Sequence, residues 1–222
     1  MLKKTTIAFA FLVLLNSCAV HDKNFSEKDW YAFTKTSNQR IIKASDVYEF
    51  TDGMIRMHGD NIGYLMTNKS YKNFELSLEF RWNIDQKFNQ GKGKKNSGLM
   101  YNIPTESPDN IWPKGIQFQI KENTTGDFIF LDKVTAVVNG KLVEAGASVT
   151  SPKFSENEKP YGEWNTVVVK SFNGKITQYL NGTLVNQCTE ATSREGKISL
   201  NYEGSPIDFR NIRLKNISKE EN

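Results

Sequence analysis

An all-β fold, an antiparallel two-sheet sandwich, is predicted by three features of this 222-residue sequence. Apolar and polar residues alternate over long stretches, the period of a strand with one buried and one wet face. Asn-Gly pairs fall between such stretches, at Asn173-Gly174 and Asn181-Gly182, where a two-residue hairpin needs left-handed backbone. No apolar stripe at helical spacing lasts three turns, and the 14 Phe, 8 Tyr and 4 Trp supply the large side chains that fill a sheet core.

Taken in order, the chain opens with Lys3 and Lys4, an apolar run from Ile7 to Leu15, and then Asn16, Ser17 and Cys18. That is the layout of a signal peptide, and the run is too short to span a bilayer. Leu15-Asn16-Ser17-Cys18 resembles the lipobox of bacterial lipoproteins. The resemblance implies cleavage before Cys18, lipidation of its thiol and a lipid-anchored place in the bacterial cell envelope, with Ala19 favouring the outer membrane; an ordinary secreted protein with an incidental Cys18 is the alternative. Residues 1–17 are then signal peptide, 18–27 a lipidated Cys and polar tether, 28–217 one β-sandwich domain and 218–222 a polar tail.

Within the domain, Phe74 to Trp82 alternates for nine positions and Gly115 to Lys121 repeats the pattern. Thr166–Ser171 and Lys175–Leu180 flank the first Asn-Gly turn, Leu180 to Val185 contains the second, and Ile198–Tyr202 and Ile207–Leu214 close the fold. Ser151 to Pro160 reads as a long surface loop. Gln90 to Asn96 is basic and Gly-rich, but it lacks the strand-to-helix context of a phosphate-binding loop and reads as a solvated connection. With Cys18 given to lipid, Cys188 has no disulfide partner, and its place at a strand end predicts a buried, inert thiol.

Composition excludes several functions. Lys+Arg 29 against Asp+Glu 25 gives +4, and loss of Lys3 and Lys4 leaves 4 − 2 = +2, too little for a nucleic-acid footprint. Two histidines, His21 and His58, cannot furnish a clustered-histidine zinc site, so no metal is expected, and a Ser-His-Asp site would rest on His58 alone. No cofactor is legible. Any chemistry falls to carboxylates, amides, Lys, Arg and Tyr.

Strand parity gathers candidates. Phe74, Leu76, Leu78, Phe80 and Trp82 point one way, so Glu79 and Arg81 share the other face; Gln117, Gln119 and Lys121 oppose Ile116, Phe118 and Ile120; Asn201 and Glu203 oppose Leu200 and Tyr202. If these faces belong to one sheet, Glu79, Arg81, Gln117, Gln119, Asn201 and Glu203 make an amide-rich surface suited to sugar hydroxyls, each of which both donates and accepts. The alternatives are plain: Glu79 and Arg81 as a surface ion pair, Lys121 as ordinary wet-face polarity, Tyr101 and Trp112 as packing aromatics instead of sugar platforms, Trp164 as core.

Seven groups of segments follow one another between Trp30 and Ile217: Gly63–Thr67, Tyr71–Arg81, Asn96-Ser97-Gly98-Leu99-Met100-Tyr101, Gly115–Ile120 with Gly126-Asp127-Phe128, Gly162–Asn165, Tyr179–Gly182 and Phe209–Ile212. In their joint order they resemble the 3-keto-disaccharide hydrolase family, whose fold is a concanavalin-like jelly-roll sandwich. The resemblance implies a carbohydrate partner and cleavage of glycosides already oxidised to a ketone at C3. The ketone acidifies the C2 proton; a base removes it and the C1 substituent leaves, with water adding later. Many members carry Glu where this chain has Gln117, and an amide is no base. Either Asp127, Glu122 or Glu203 takes that role, or the chain only binds sugar. Arg81, Gln119 or Lys133 would hold the enolate, and Asn96, Tyr101 and Asn201 complete the expected binding set. Asp127 is also open to a turn-capping role.

Overall fold

The alternating segments form strands because each offers one apolar row to a shared interior. The computed structural model describes residues 22–35, 47–59, 61–90 and 95–218. Its two main sheets are antiparallel and eight-stranded. In the first, the order is Thr183–Cys188, Lys175–Leu180, Asn165–Phe172, Phe74–Trp82, Ile207–Asn216, Met54–Met57 and Tyr48–Thr51, with Asp22–Asn24 also paired to Ile207–Asn216. In the second it is Ser148–Ser151, Phe128–Leu131, Gly115–Lys121, Asn96–Ile103, Glu195–Glu203, Ile62–Thr67 and Trp30–Lys35, with Tyr71–Lys72 added beside Glu195–Glu203. A small hairpin, Ala136–Val138 with Lys141–Val143, stands apart. The jelly-roll sandwich expected from the sequence is what forms.

The core lies between the sheets. Phe74, Leu76, Leu78, Phe80 and Trp82 meet Leu99, Tyr101, Ile116, Phe118, Ile120, Leu200 and Tyr202, all essentially without exposure. Each such large apolar side chain contributes about 1.5–3 kcal/mol on burial. The edges are tied too: Asn186 Nδ2 in the first sheet donates to Ser151 O in the second at 3.1 Å. Cys188 is buried, and burial pushes its thiol up to about 12, the inert state expected.

Both Asn-Gly turns form as read, with φ of 47° and 85° at Asn173-Gly174 and 49° and 81° at Asn181-Gly182. Asp52-Gly53 and Asn139-Gly140 repeat that conformation. Residues 152–164 carry no strand or helix, as expected of the surface loop. Cys18, the signal segment and most of the basic loop before Asn96 lie outside the described residues.

Three expectations change. Asp22–Asn24, read as tether, is a strand in register with Arg213–Lys215, and Phe25 after it packs on Trp30 at 5.1 Å between ring centroids, an apolar anchor that a polar composition hid. Phe74–Trp82 and Gly115–Lys121 lie in different sheets, so Glu79 and Arg81 do not share a surface with Gln117 and Gln119. Trp164 is not core; its ring lies 4.6 Å from the Arg81 guanidinium and 3.8 Å from that of Arg210, on the wet face of the first sheet.

Candidate active site

The wet face of the second sheet carries a cleft of about 670 Å³. Its floor comes from neighbouring strands: Gln117, Gln119 and Lys121 from Gly115–Lys121, Asn96 from Asn96–Ile103, Glu203 from Glu195–Glu203, and Ile129 and Leu131 from Phe128–Leu131. Ser148 and Thr150 bound one side, with Asp132 and Ala147; Asn110 and Trp112 bound the other. Antiparallel register sets Gln119 opposite Gly98, Gly98 opposite Asn201, and Asn96 opposite Lys121, so these positions share one face.

A continuous row of hydrogen bonds crosses the floor. Ser199 Oγ donates to Asn201 Oδ1 (3.0 Å), Asn201 Nδ2 to Gln117 Oε1 (3.1 Å), and Gln117 Nε2 to Gln119 Oε1. Gln119 Nε2 then donates to Asn96 Oδ1 (3.0 Å) and Asn96 Nδ2 to Glu203 Oε2 (2.5 Å). Ser199, Asn201, Gln117 and Gln119 are buried, and such groups need these partners. Gln117 reaches Asn201 because Gly98 leaves a hollow: a Cβ there would stand 2.4 Å from Gln117 Cδ. Burial pushes the Glu203 carboxyl above its ordinary range, opposed by the Trp112 indole N–H and the Lys121 ammonium.

The Trp112 wall belongs to the segment between Ile103 and Gly115, pinned to the sheet by Asp109. Tyr64 OH donates to Asp109 Oδ1 at 2.6 Å and Tyr31 OH at 3.1 Å. Ile111 is buried beside it, while Trp112 is 49% exposed, leaving an aromatic face open beside the carboxylate.

Of the expected site residues, Asn96, Gln117, Gln119, Asn201 and Glu203 come together. The rest do not. Glu79 pairs with Arg210 at 2.5 Å, and Arg81 with the buried Asp208 at 3.0 Å, both on the other sheet's outer face. Tyr101 faces the core, where Gln178 Nε2 donates to its hydroxyl at 2.8 Å; as the fifth residue after Asn96 it has opposite parity. Asp127 is buried and accepts from the Lys153 backbone N–H at 2.9 Å, outside the cleft lining. Glu122 lines a separate pocket with Glu158 and Tyr161. Lys133 is exposed in a left-handed turn just beyond Asp132, its backbone N–H bonded to Gly146 O. His58 pairs with Glu49 at 2.9 Å and stacks on Phe88, outside the cleft lining.

Asn110, Asp132, Ser148 and Thr150 line the cleft without having been expected there, and Lys121, read from the sequence as ordinary wet-face polarity, lines it too. Lys121 carried a signal, since it continues the parity of Gln117 and Gln119. Among the described residues, no three His, Cys, Asp or Glu side chains cluster as a metal site, and no helix is long and apolar enough to cross a membrane.

No curated protein matches the chain. Several solved structures do share its fold. One assigned as a glycosyl hydrolase of Parabacteroides distasonis has a TM-score of 0.59 at 20% identity, covering 86% of this chain and 89% of its own. A carbohydrate-binding module from Bacillus subtilis has a TM-score of 0.57 at 13% identity, covering 84% and 95%. The Bacillus licheniformis β-glucanase has 0.55 at 14%, covering 89% and 98%. At those identities the likeness speaks for the sandwich alone. The family model of the 3-keto-alpha-glucoside-1,2-lyase-like domain, by contrast, matches residues 19–215, nearly all of the sandwich with its cleft, and the chain belongs to that family.

Proposed function

We propose that the cleft binds a carbohydrate and cleaves 3-keto-glycosides, with Glu203 as the base. The supporting observation is that of the three candidate carboxylates only Glu203 lines the cleft, where the amide row ends on it. A carboxyl held above its ordinary range is a stronger base when ionised. Glu203 takes the C2 proton, and the electron pair of the C2–H bond passes toward the C3 oxygen as an enolate. Collapse of the enolate restores the C3 carbonyl, forms the C1–C2 double bond and breaks the bond from C1 to the leaving oxygen, which takes up one proton, the equivalent of the one Glu203 removed, directly or through water. Water then adds across the double bond for net hydrolysis. Gln119 and Lys121 are the donors on the floor that suit the enolate oxygen, and the open face of Trp112 suits a sugar ring. The names of its structural relatives, a glycosyl hydrolase and a carbohydrate-binding module, agree with a sugar ligand.

The test is release of a chromogenic aglycone from a 3-keto-glucoside beside the unoxidised glucoside. Only the keto form should react, and Glu203→Gln should lower the rate by roughly 10²–10⁴, the usual worth of a positioned base, while binding persists. Binding without turnover in the wild type would reduce the role to carbohydrate recognition, and neither binding nor turnover would remove both.

We further propose that the protein is held in the bacterial envelope through a lipidated Cys18. Cys18→Ala should move it from the membrane fraction to the soluble one; retention in the membrane would place the attachment elsewhere.

A further inference from the structure

The hydrogen bonds from Ser199 to Glu203 all run the same way. A carboxamide donates at one end and accepts at the other, so in a row of them each fixes the orientation of the next. The ends set the direction. An ionised carboxylate only accepts, which turns the Asn96 nitrogen toward Glu203; a buried serine hydroxyl is free to donate, which suits Ser199 at the head.

The weak point of such a row is its middle. Gln119 and Asn201 stand on either side of Gly98 in register and do not reach each other; Gln117, one row away, lies across the hollow and bonds both. We infer that Gln117 is a positioning residue, whose amide carries the orientation of the row over Gly98 and keeps Gln119 and Asn96 turned with their nitrogens toward Glu203. Gln117 hydrogen-bonds Asn201 and Gln119, not Glu203, and is not a catalytic residue. It acts through two intervening side chains. Its oxygen and its nitrogen are both engaged, so an amide is the group the position requires: a carboxylate could accept from Asn201 but would face the Gln119 oxygen with a second acceptor. The effect on the charge of Glu203 holds whatever the cleft does; its effect on turnover rests on Glu203 being the base, as proposed above.

The charged group acting on Glu203 from the neighbouring strands is Lys121, and the loop wall adds the Trp112 indole; Asp132 also lines the cleft, and the substitutions below leave all three side chains in place. The experiment follows the Glu203 carboxyl by carbon-13 NMR in protein labelled at glutamate, the resonance being the one lost in Glu203→Gln. Two neutral variants break the bridge differently. Gln117→Met keeps length and removes both hydrogen bonds; Gly98→Ala keeps the amide and pushes it off its hollow, since the new Cβ would stand 2.4 Å from Gln117 Cδ. Thermal melts and near-ultraviolet circular dichroism identify which variants are folded, and either one suffices. Loss of aligned donors weakens the anion, so the proton affinity of Glu203 should rise about three- to tenfold, the effect of one hydrogen bond. An unmoved Glu203 midpoint in a folded variant overturns the positioning role. Turnover separates this from the chemistry: a moved midpoint with no activity in any protein leaves the role of Gln117 and removes the base. Activity lost in Glu203→Gln with an unmoved midpoint does the reverse.

Discussion

Asp127 and Glu203 are both carboxylates that burial pushes above the ordinary range, and what separates them is what each faces. Glu203 opens on a cleft beside an exposed indole and an ammonium. Asp127 accepts from the Lys153 backbone N–H and so ties the turn after Gly115–Lys121 to the chain beyond Ser148–Ser151, a structural role that Gly-Asp-Phe alone does not reveal. Its raised affinity for a proton has a consequence for stability. A carboxyl that binds its proton more tightly when folded contributes fully below the ordinary aspartate range near pH 4, and the contribution is lost as pH rises through its folded value. Asp127→Asn keeps an acceptor for Lys153 and no longer ionises. Its melting temperature should therefore fall less than that of the wild type between pH 4 and pH 7, and parallel profiles would show that Asp127 is not the group responsible.

At the scale of elements, the hairpins carry the most local information. Asn181 sits at φ 49° and spends its whole amide on the turn: Oδ1 accepts from Thr166 N at 2.8 Å, and Nδ2 donates to Asn157 O at 2.6 Å and Asn165 Oδ1 at 2.8 Å. Asn181→Ala removes these bonds and keeps the left-handed strain, so a loss of about 2 kcal/mol in urea unfolding is expected. Such turns, and the period-two runs they join, are what the sequence made legible; Phe74–Trp82 and Gly115–Lys121 begin and end where alternation does. Alternation tells which residues of a strand are wet. It does not tell which sheet owns the strand, and a sandwich has two wet faces. That is why Gln117 and Gln119 were correctly paired with Asn201 and Glu203, whereas Glu79 and Arg81 were not. Tyr101 differs again: an odd number of residues from Asn96, it belongs by parity to the core, the packing role that stood as its alternative. The amide row was hidden because Ser199 and Gly98 matter through one hydroxyl and one missing side chain.

For the molecule as a whole, the two outer faces have unlike chemistry. On the first sheet, charges are matched in place, with Asp208 held by Arg56 and Arg81 and the Trp164 ring lying against Arg81 and Arg210. On the second, amides lead into an open cleft, which sets hydrogen-bonding groups around a concavity of sugar-ring size. The family match and the sandwich were both readable from the order of the segments; the depth of the cleft was not, because its Trp112 wall hangs on Asp109, a single loop carboxylate accepting from two distant tyrosines. The early strand Asp22–Asn24 also sets a length. Only residues 19–21 separate Cys18 from the first paired residue, so a lipid on Cys18 could stand at most about 14 Å of extended chain from the sheet edge. If Cys18 carries the proposed lipid, a leash that short would keep the sandwich at the bilayer, and the substrates within its reach would be those that arrive at, or are delivered along, the membrane surface.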